Sequence, residues 1–234
     1  MLACTTLAQS FEVASIKERT GRYGRIAIDT AGNRLTAEAS SIQDLMMWAY
    51  DVKAFQLANS PALGAFGSTP WDIQAKAEGD TPPTKAQFRA MLQALLAERF
   101  QLTLRRETRD WPVYALTVDK RGPKLKEPAP AASIFGNVSV KGRSYTMTLP
   151  SGTIDRFTDM LNNSAALDRP IVDRTGLTDA FAIKITFTPA RGEAGPGDLS
   201  IFEAVQEQLG LKLSAQSAPI EFLVVDRVAK PAAN

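Results

Sequence analysis

Histidine does not occur in these 234 residues. Its absence excludes Ser-His-Asp and Cys-His catalysis, histidine-ligated zinc and histidine as a general base, each of which needs an imidazole. Cysteine occurs once, at Cys4, so neither an intramolecular disulfide nor a cysteine-based zinc site can form. No apolar run approaches the ~18 residues that span a bilayer as a helix, so no transmembrane segment is expected. The formal net charge is only +2, where a nucleic-acid binder would show a strong basic stripe, and no nucleic-acid partner is expected. Gly-x-Ser-x-Gly and Ser-x-x-Lys nucleophile motifs, a phosphate-cradling glycine loop and an EF-hand loop are missing too.

What is present suffices for a core. Apolar residues make up 44% of the chain, and its length fits one large or two modest domains. Residues 1–10 are small, apolar and uncharged and read as a signal remnant or a disordered terminus, with Ala3-Cys4 an echo of a lipoprotein cleavage box. An exported location, periplasmic or extracellular, is the resulting expectation.

Alternation of apolar and polar residues predicts strands at Phe11–Lys17, Arg25–Ile28, Arg34–Ala39 and Trp71–Ala77. Ser41-x-x-Asp44, Thr84-x-x-Gln87 and Ser200-x-x-Glu203 have capping-box spacing. Apolar residues follow the first at i, i+3, i+4 and i+7 (Ile42, Leu45, Met46, Ala49), which predicts a one-faced helix. Phe88, Met91, Leu92, Leu95, Leu96 and Phe100 stripe the second. Residues 58–70 read as a Gly/Ala/Pro loop. Two strands, Gln101–Thr108 and Val113–Val118, are expected around a turn at Asp110-Trp-Pro112. Residues 119–144 carry Lys120, Arg121, Lys124 and Lys126 among Pro and Gly, and read as a basic linker. Beyond it come a strand at Tyr145–Leu149, a helix at Thr153–Leu161, a short strand at Arg169–Asp173 ending in the turn Asp173-Arg-Thr-Gly176, and a strand at Phe181–Phe187. A loop at 192–197, the third capped helix and closing strands at Leu211–Leu213 and Ile220–Val225 complete the chain.

The two halves superimpose in sequence. Ile42 and Leu45 match Ile154 and Phe157. Trp71 and Ile73 match Phe181 and Ile183. Leu92, Leu96, Phe100, Leu102 and Leu104 match Ile201, Val205, Leu209, Leu211 and Leu213. The fold expected is α+β: two tandem repeats of a β-α-β-α-β-β unit, 11–118 and 145–231, each a mixed or antiparallel sheet with two helices on one face. The element order is similar to the short N-terminal modules of secretins and TonB-dependent receptors, an analogy of fold alone.

Several segments are familiar as a set: Phe11-Glu-Val-Ala-Ser-Ile-Lys17, Met91-Leu-Gln-Ala-Leu-Leu-Ala-Glu-Arg-Phe100, Glu107-Thr-Arg-Asp-Trp-Pro-Val-Tyr-Ala-Leu116, Gly122-Pro-Lys-Leu125, Pro170-Ile-Val-Asp-Arg-Thr-Gly-Leu177 and Gln206-Glu-Gln-Leu-Gly-Leu-Lys-Leu213. From about residue 11 to Pro231 the chain resembles a large paralogous family of soil bacteria, expanded in acidobacteria and of unknown function. The resemblance implies export and a shared fold, and related segments occur fused to membrane sensor proteins. This chain departs from the family at Asn59–Pro70, and it has Arg105 where a histidine is common.

The remaining polar chemistry is carboxylate and guanidinium. Asp168, Asp173 and Asp179 surround the Asp-Arg-Thr-Gly turn, with Asp155 and Asp159 on the preceding helix. Oxygen ligands of this kind suit calcium, and a bound cation activates water without histidine. On that reading Asp168, Asp173 and Asp179 are metal ligands, and Asp173 and Asp179 are catalytic. The plainer reading has Asp173 capping its own turn. Arg169, Arg174, Thr175, Trp71 and Trp111 are the binding candidates. Two functions follow. One is an extracytoplasmic module that binds a small-molecule ligand or a protein partner, its edge strands open to β-augmentation. The other is a calcium-dependent hydrolase of small esters or lactones, such as an acyl-homoserine lactone lactonase. Sugar hydrolysis by paired carboxylates is a third possibility, resting on a separation that sequence does not give.

Overall fold

The computed structural model describes residues 10–20, 26–57, 62–164, 167–189 and 199–231. The predicted signal remnant through residue 9, Cys4 and the loop at 192–197 lie outside the described residues. In chain order the elements are β1 (Phe11–Glu18), β2 (Ala27–Ala31), β3 (Arg34–Ser40), α1 (Ile42–Tyr50), β4 (Trp71–Ala77), α2 (Lys85–Arg99), β5 (Thr103–Val118), β6 (Asn137–Lys141), β7 (Ser144–Gly152), α3 (Ile154–Ser164), β8 (Ile171–Asp173), β9 (Phe181–Phe187), α4 (Ile201–Leu209) and β10 (Leu211–Arg227). The chain is thus an α+β protein. It divides into two compact units, Met1–Arg109 with Ile220–Asn234, and Asp110–Pro219.

Each predicted capping box is formed. Ser41, Thr84 and Ser200 accept from the backbone N–H three residues on, and the side chains of Asp44, Gln87 and Glu203 accept from the cap residue's own N–H. An N-cap of this type is worth about 1 kcal/mol. In the first unit the sheet order is β1-β4-β3-β2, antiparallel throughout. Leu35 and Ala37 of β3 and Ile73 and Ala75 of β4 share one face, and they pack in a single core with Ile42, Leu45 and Met46 of α1 and Phe88, Leu92 and Leu96 of α2. Both helices therefore lie on the same side of the sheet. A register shift between Ala37 and Ser40 ends β3 and turns the chain into α1. Ala39 there has φ 46°, and its N–H donates to the Asp72 carboxylate at 2.9 Å.

The second unit has the antiparallel sheet β6-β7-β9. Met147 and Leu149 of β7 and Ile183, Ile185 and Phe187 of β9 face the buried stripes of α3 and α4. β7 also shifts register, between Leu149 and Gly152, just before its helix. The first half runs hairpin, helix, strand, helix, long strand; the second has a similar order with one strand more, β8, between its helices. β8 pairs in parallel with β5 through Tyr114–Leu116.

Three expectations need correction. The turn at Asp110-Trp-Pro112 is absent, and β5 runs unbroken through it. Tyr114 N–H donates to Pro170 O at 2.8 Å on the β8 side. Alternation puts the Pro112 nitrogen on that same edge, beyond the end of β8, where no donor is needed. The closing strands are likewise one strand, β10, which lies at the edge of its sheet and so tolerates Pro219. Nor is 119–144 a free linker. Asp119 N–H donates to Gly210 O, Lys124 N–H to Leu209 O, and Ala182 N–H to Lys126 O, and the segment contains β6. Of the predicted loop at 58–70, residues Gly64–Ser68 form a 3-10 turn, and 58–61 lie outside the described residues.

Candidate functional site

The Asp168–Arg169 pair sits just before β8. The Arg169 guanidinium donates twice to one Asp168 oxygen, at 3.1 and 3.0 Å, and lies 5.0 Å from the centre of the Tyr114 ring. The Tyr114 hydroxyl donates to the other Asp168 oxygen at 2.9 Å. The ring also meets Phe202 of α4 edge-on, with centroids 5.0 Å apart. The guanidinium beside it, then the phenol, holds the Asp168 carboxyl below the usual range. Burial, then Asp168, pushes the Tyr114 phenol up.

Asp173 does what the plainer reading assigned it. Its carboxylate accepts from the Thr175 N–H and hydroxyl, both at 2.8 Å, and the Thr175 hydroxyl oxygen accepts from Leu177 N–H. The turn is built by its own side chains. Arg174 N–H is spent on Leu116 O, its side chain is exposed, and Asp179 is exposed beyond it. Asp168 is engaged with Arg169 and Tyr114 rather than with Asp173 or Asp179. Among the described residues no three His, Cys, Asp or Glu side chains gather as a metal-holding group. The proposed set Asp168, Asp173, Asp179 is therefore not brought together as calcium ligands. Trp71, a binding candidate, is instead a core residue, 2% exposed and edge-on to Phe100. Trp111 is on the surface of β5.

A different region was not singled out from the sequence. Among the described residues, seven large apolar side chains stand exposed, and Ile134, Phe135, Val138 and Val140 are four of them. They fall in and just before β6, the outer strand of its sheet. Val138 lies opposite the buried Met147, and Val140 opposite Tyr145, so both valines point to the face that carries the core. That face continues past the cover of the helices. Gly136 lets the chain approach α3, since a Cβ there would come within 2.7 Å of the end of Met160. The hairpin closes through Gly142 (φ 61°) and Arg143, a two-residue turn flanked by the pair Lys141 and Ser144. Such a turn makes Lys141, Ser139 and Asn137 the residues bonded to β7, leaving the N–H and C=O of Val138 and Val140 aimed outward. Among the described residues no hydrogen bond reaches that edge. The opposite edge of the sheet is covered. Along β9, Gln208 clamps Thr186 at both backbone groups, Lys126 bridges to Ala182, and Ser200 bridges to Thr188. The signal available in the sequence was the Val-Ser-Val alternation ahead of Gly142.

The first unit holds an open cleft of about 660 Å³ beside the loop after β4, its lining including Glu78, Asp80 and Met91. On β5, Arg105 pairs with Glu107 and Asp226, and Arg106 with Glu221.

An α+β protein with several self-paired charged clusters and, among the described residues, a bare apolar strand edge at β6 is the class these observations define. A family model described as protein of unknown function (DUF3738) matches residues 43–228, and the chain belongs to that family. No curated protein and no solved structure matches it.

Proposed function

We propose that the protein is an exported interaction module that takes an extended segment of a protein partner on the outer edge of β6. The observation that carries this reading is the contrast between the two edges of one sheet: β9 is covered by three separate devices, while β6 is bare and flanked by exposed Ile134, Phe135, Val138 and Val140. Proteins ordinarily blunt such edges, and a bare apolar one is the template that strand addition uses. The apolar, uncharged start of the chain supports export. Apart from β8 the two halves have the same order of strands and helices from the first hairpin on, and with their matched apolar positions this supports reading them as copies of one unit.

Strand addition is tested by selecting binders from a library of extended peptides and following amide exchange in the complexes. Binding should slow exchange at Val138 and Val140. Val140→Pro, which removes only an outward donor, should abolish binding with little change in Tm, whereas Ser139→Pro should damage the hairpin. Binders that leave both amides exchanging freely would sink the reading. Hydrolysis is checked separately: lactone or ester turnover that stops with EDTA, returns with calcium and is lost in Asp173→Ala would replace the binding reading with the hydrolase.

A further inference from the structure

Resting on the strand-addition reading, we infer that the segment taken on the β6 edge is β6 of a second copy of this chain, paired antiparallel about Ser139. A two-fold contact joins one surface to itself, so it needs a self-complementary strand. Asn137-Val138-Ser139-Val140-Lys141 reads polar, apolar, polar, apolar, polar in either direction. Pairing about Ser139 sets Val138 of each copy opposite Val140 of the other. These are the residues whose N–H and C=O aim outward, so each outward donor meets an outward acceptor. Opposite residues share a face, so the valines of both copies extend the apolar face that Met147 and Leu149 begin.

The sequence singles out that register. A shift by one residue sets the outward groups of one copy against groups already bonded to β7 in the other. Centring the pair on Val138 leaves Val140 opposite Gly136, and centring it on Val140 leaves Val138 opposite Gly142, with no side chain to pack against. At the two-fold axis Ser139 meets Ser139, a non-hydrogen-bonded pair in which the strands come closest and small side chains fit. Charge does not oppose the pairing. Lys141 lies opposite Asn137 of the other copy, whose amide oxygen can accept from the ammonium. The two Lys141 residues stand at opposite ends of the ribbon, roughly 13 Å apart along it at ~3.3 Å per residue. That exceeds the ~8 Å over which exposed charges act in physiological salt. The register also runs Ile134 and Phe135 of each copy alongside the turn end of the other's hairpin. These two, with Val138 and Val140, are 58%, 73%, 39% and 57% exposed. Two such sets and the backbone between them come to on the order of 1,000 Å², the lower limit of a specific interface, which fits a weak, reversible dimer.

The experiment uses the full chain. Sedimentation should show a mass that rises from monomer toward dimer with concentration. Amide exchange at Val138 and Val140 should slow about tenfold between dilute and concentrated samples, because mass action removes the free edge. Val140→Pro should stay monomeric at every concentration, with its Tm near that of the dilute parent. Crosslinking reads the register in a Cys4→Ser background, which removes the one native cysteine. Oxidised Ser139→Cys should form a disulfide-linked dimer, since non-hydrogen-bonded partners lie within disulfide reach. Asn137→Cys, whose copies stand at opposite ends of the ribbon, should not. Dimers whose valine amides exchange as fast as the monomer's, a Val140→Pro chain that still dimerises, or crosslinking at Asn137→Cys in place of Ser139→Cys would overturn the assignment. A chain that is monomeric at every concentration would overturn it too, and library-selected peptides then separate the two readings. Peptides that protect Val138 and Val140 would leave strand addition standing with another partner; peptides that leave both unprotected would bring it down as well.

Discussion

A carboxylate that accepts from a guanidinium and a phenol at once resists protonation, and Asp168 does both. Its pKa is lower in the folded chain than in the unfolded one. The stabilisation is thus fully present above the unfolded value of about 4 and is lost as pH falls through the folded value. Urea titrations at pH 7 and pH 3 should show a smaller acid-induced loss in Asp168→Asn than in the parent; equal losses would mean that the cluster does not couple to folding. Glu203, held low by the Ser200 N–H and hydroxyl, has the same sign. Gly210 is constrained differently. It caps α4 at φ 63°, and an added Cβ would collide with the Gly122 carbonyl oxygen and lie 2.9 Å from the Lys124 nitrogen. Gly210→Ala should therefore cost at least roughly 2 kcal/mol, measured by denaturant unfolding, because left-handed strain adds to the collision. The familiar segments Gly122-Pro-Lys-Leu125 and Gln206–Leu213 are partners in space here, which the sequence gives no means of seeing.

Elements that depend on neighbours three or four residues away were legible from the sequence. All three capping boxes and the buried face of α1 fall where spacing put them, since both partners of each interaction lie within one helical turn. Elements joined by long-range side-chain bonds were not. Asn162 of α3 donates to Ile171 O at 3.0 Å and accepts from Ile171 N–H at 2.7 Å, fastening β8 to the helix. Gln208 does the same for β9 at Thr186. Neither amide has a local pattern to betray it. Pro112 and Pro219 misled for a related reason: whether a proline breaks a strand depends on which edge its nitrogen faces, and that is decided by pairing. Asp168 and Asp173, close in sequence, took separate local partners, Arg169 with Tyr114 and Thr175 respectively, and spacing alone does not reveal that choice. Ile171 is buried, so Asn162→Leu should leave two backbone groups without partners and cost about 2–3 kcal/mol, again read from denaturant unfolding. A cost near zero would mean that water reaches them.

At the scale of the whole chain, the two units differ in how the polypeptide supplies them. The second is one continuous stretch, Asp110–Pro219, and its core residues, from Leu116 to Leu213, all lie inside it. The first is discontinuous. It takes Ile220–Asn234 from the far end, and Val225 of that segment, 4% exposed, is part of its core beside Leu96 and Phe100. Further bonds tie the same segment in: Ala229 N–H donates to Phe100 O at 2.7 Å, and the Gln56 amide donates to Glu221 O at 3.0 Å. Matched halves in the sequence suggested a cut after residue 118, but a fragment ending there forfeits the strand that closes its own core. The fragment 110–219 should unfold cooperatively in urea, because a domain with its own core folds as a unit. The fragment 10–118 should show no such transition, and adding residues 220–231 to it through a short flexible linker should restore one. A cooperative transition in 10–118 alone would show that β10 is an accessory to the first core rather than a part of it.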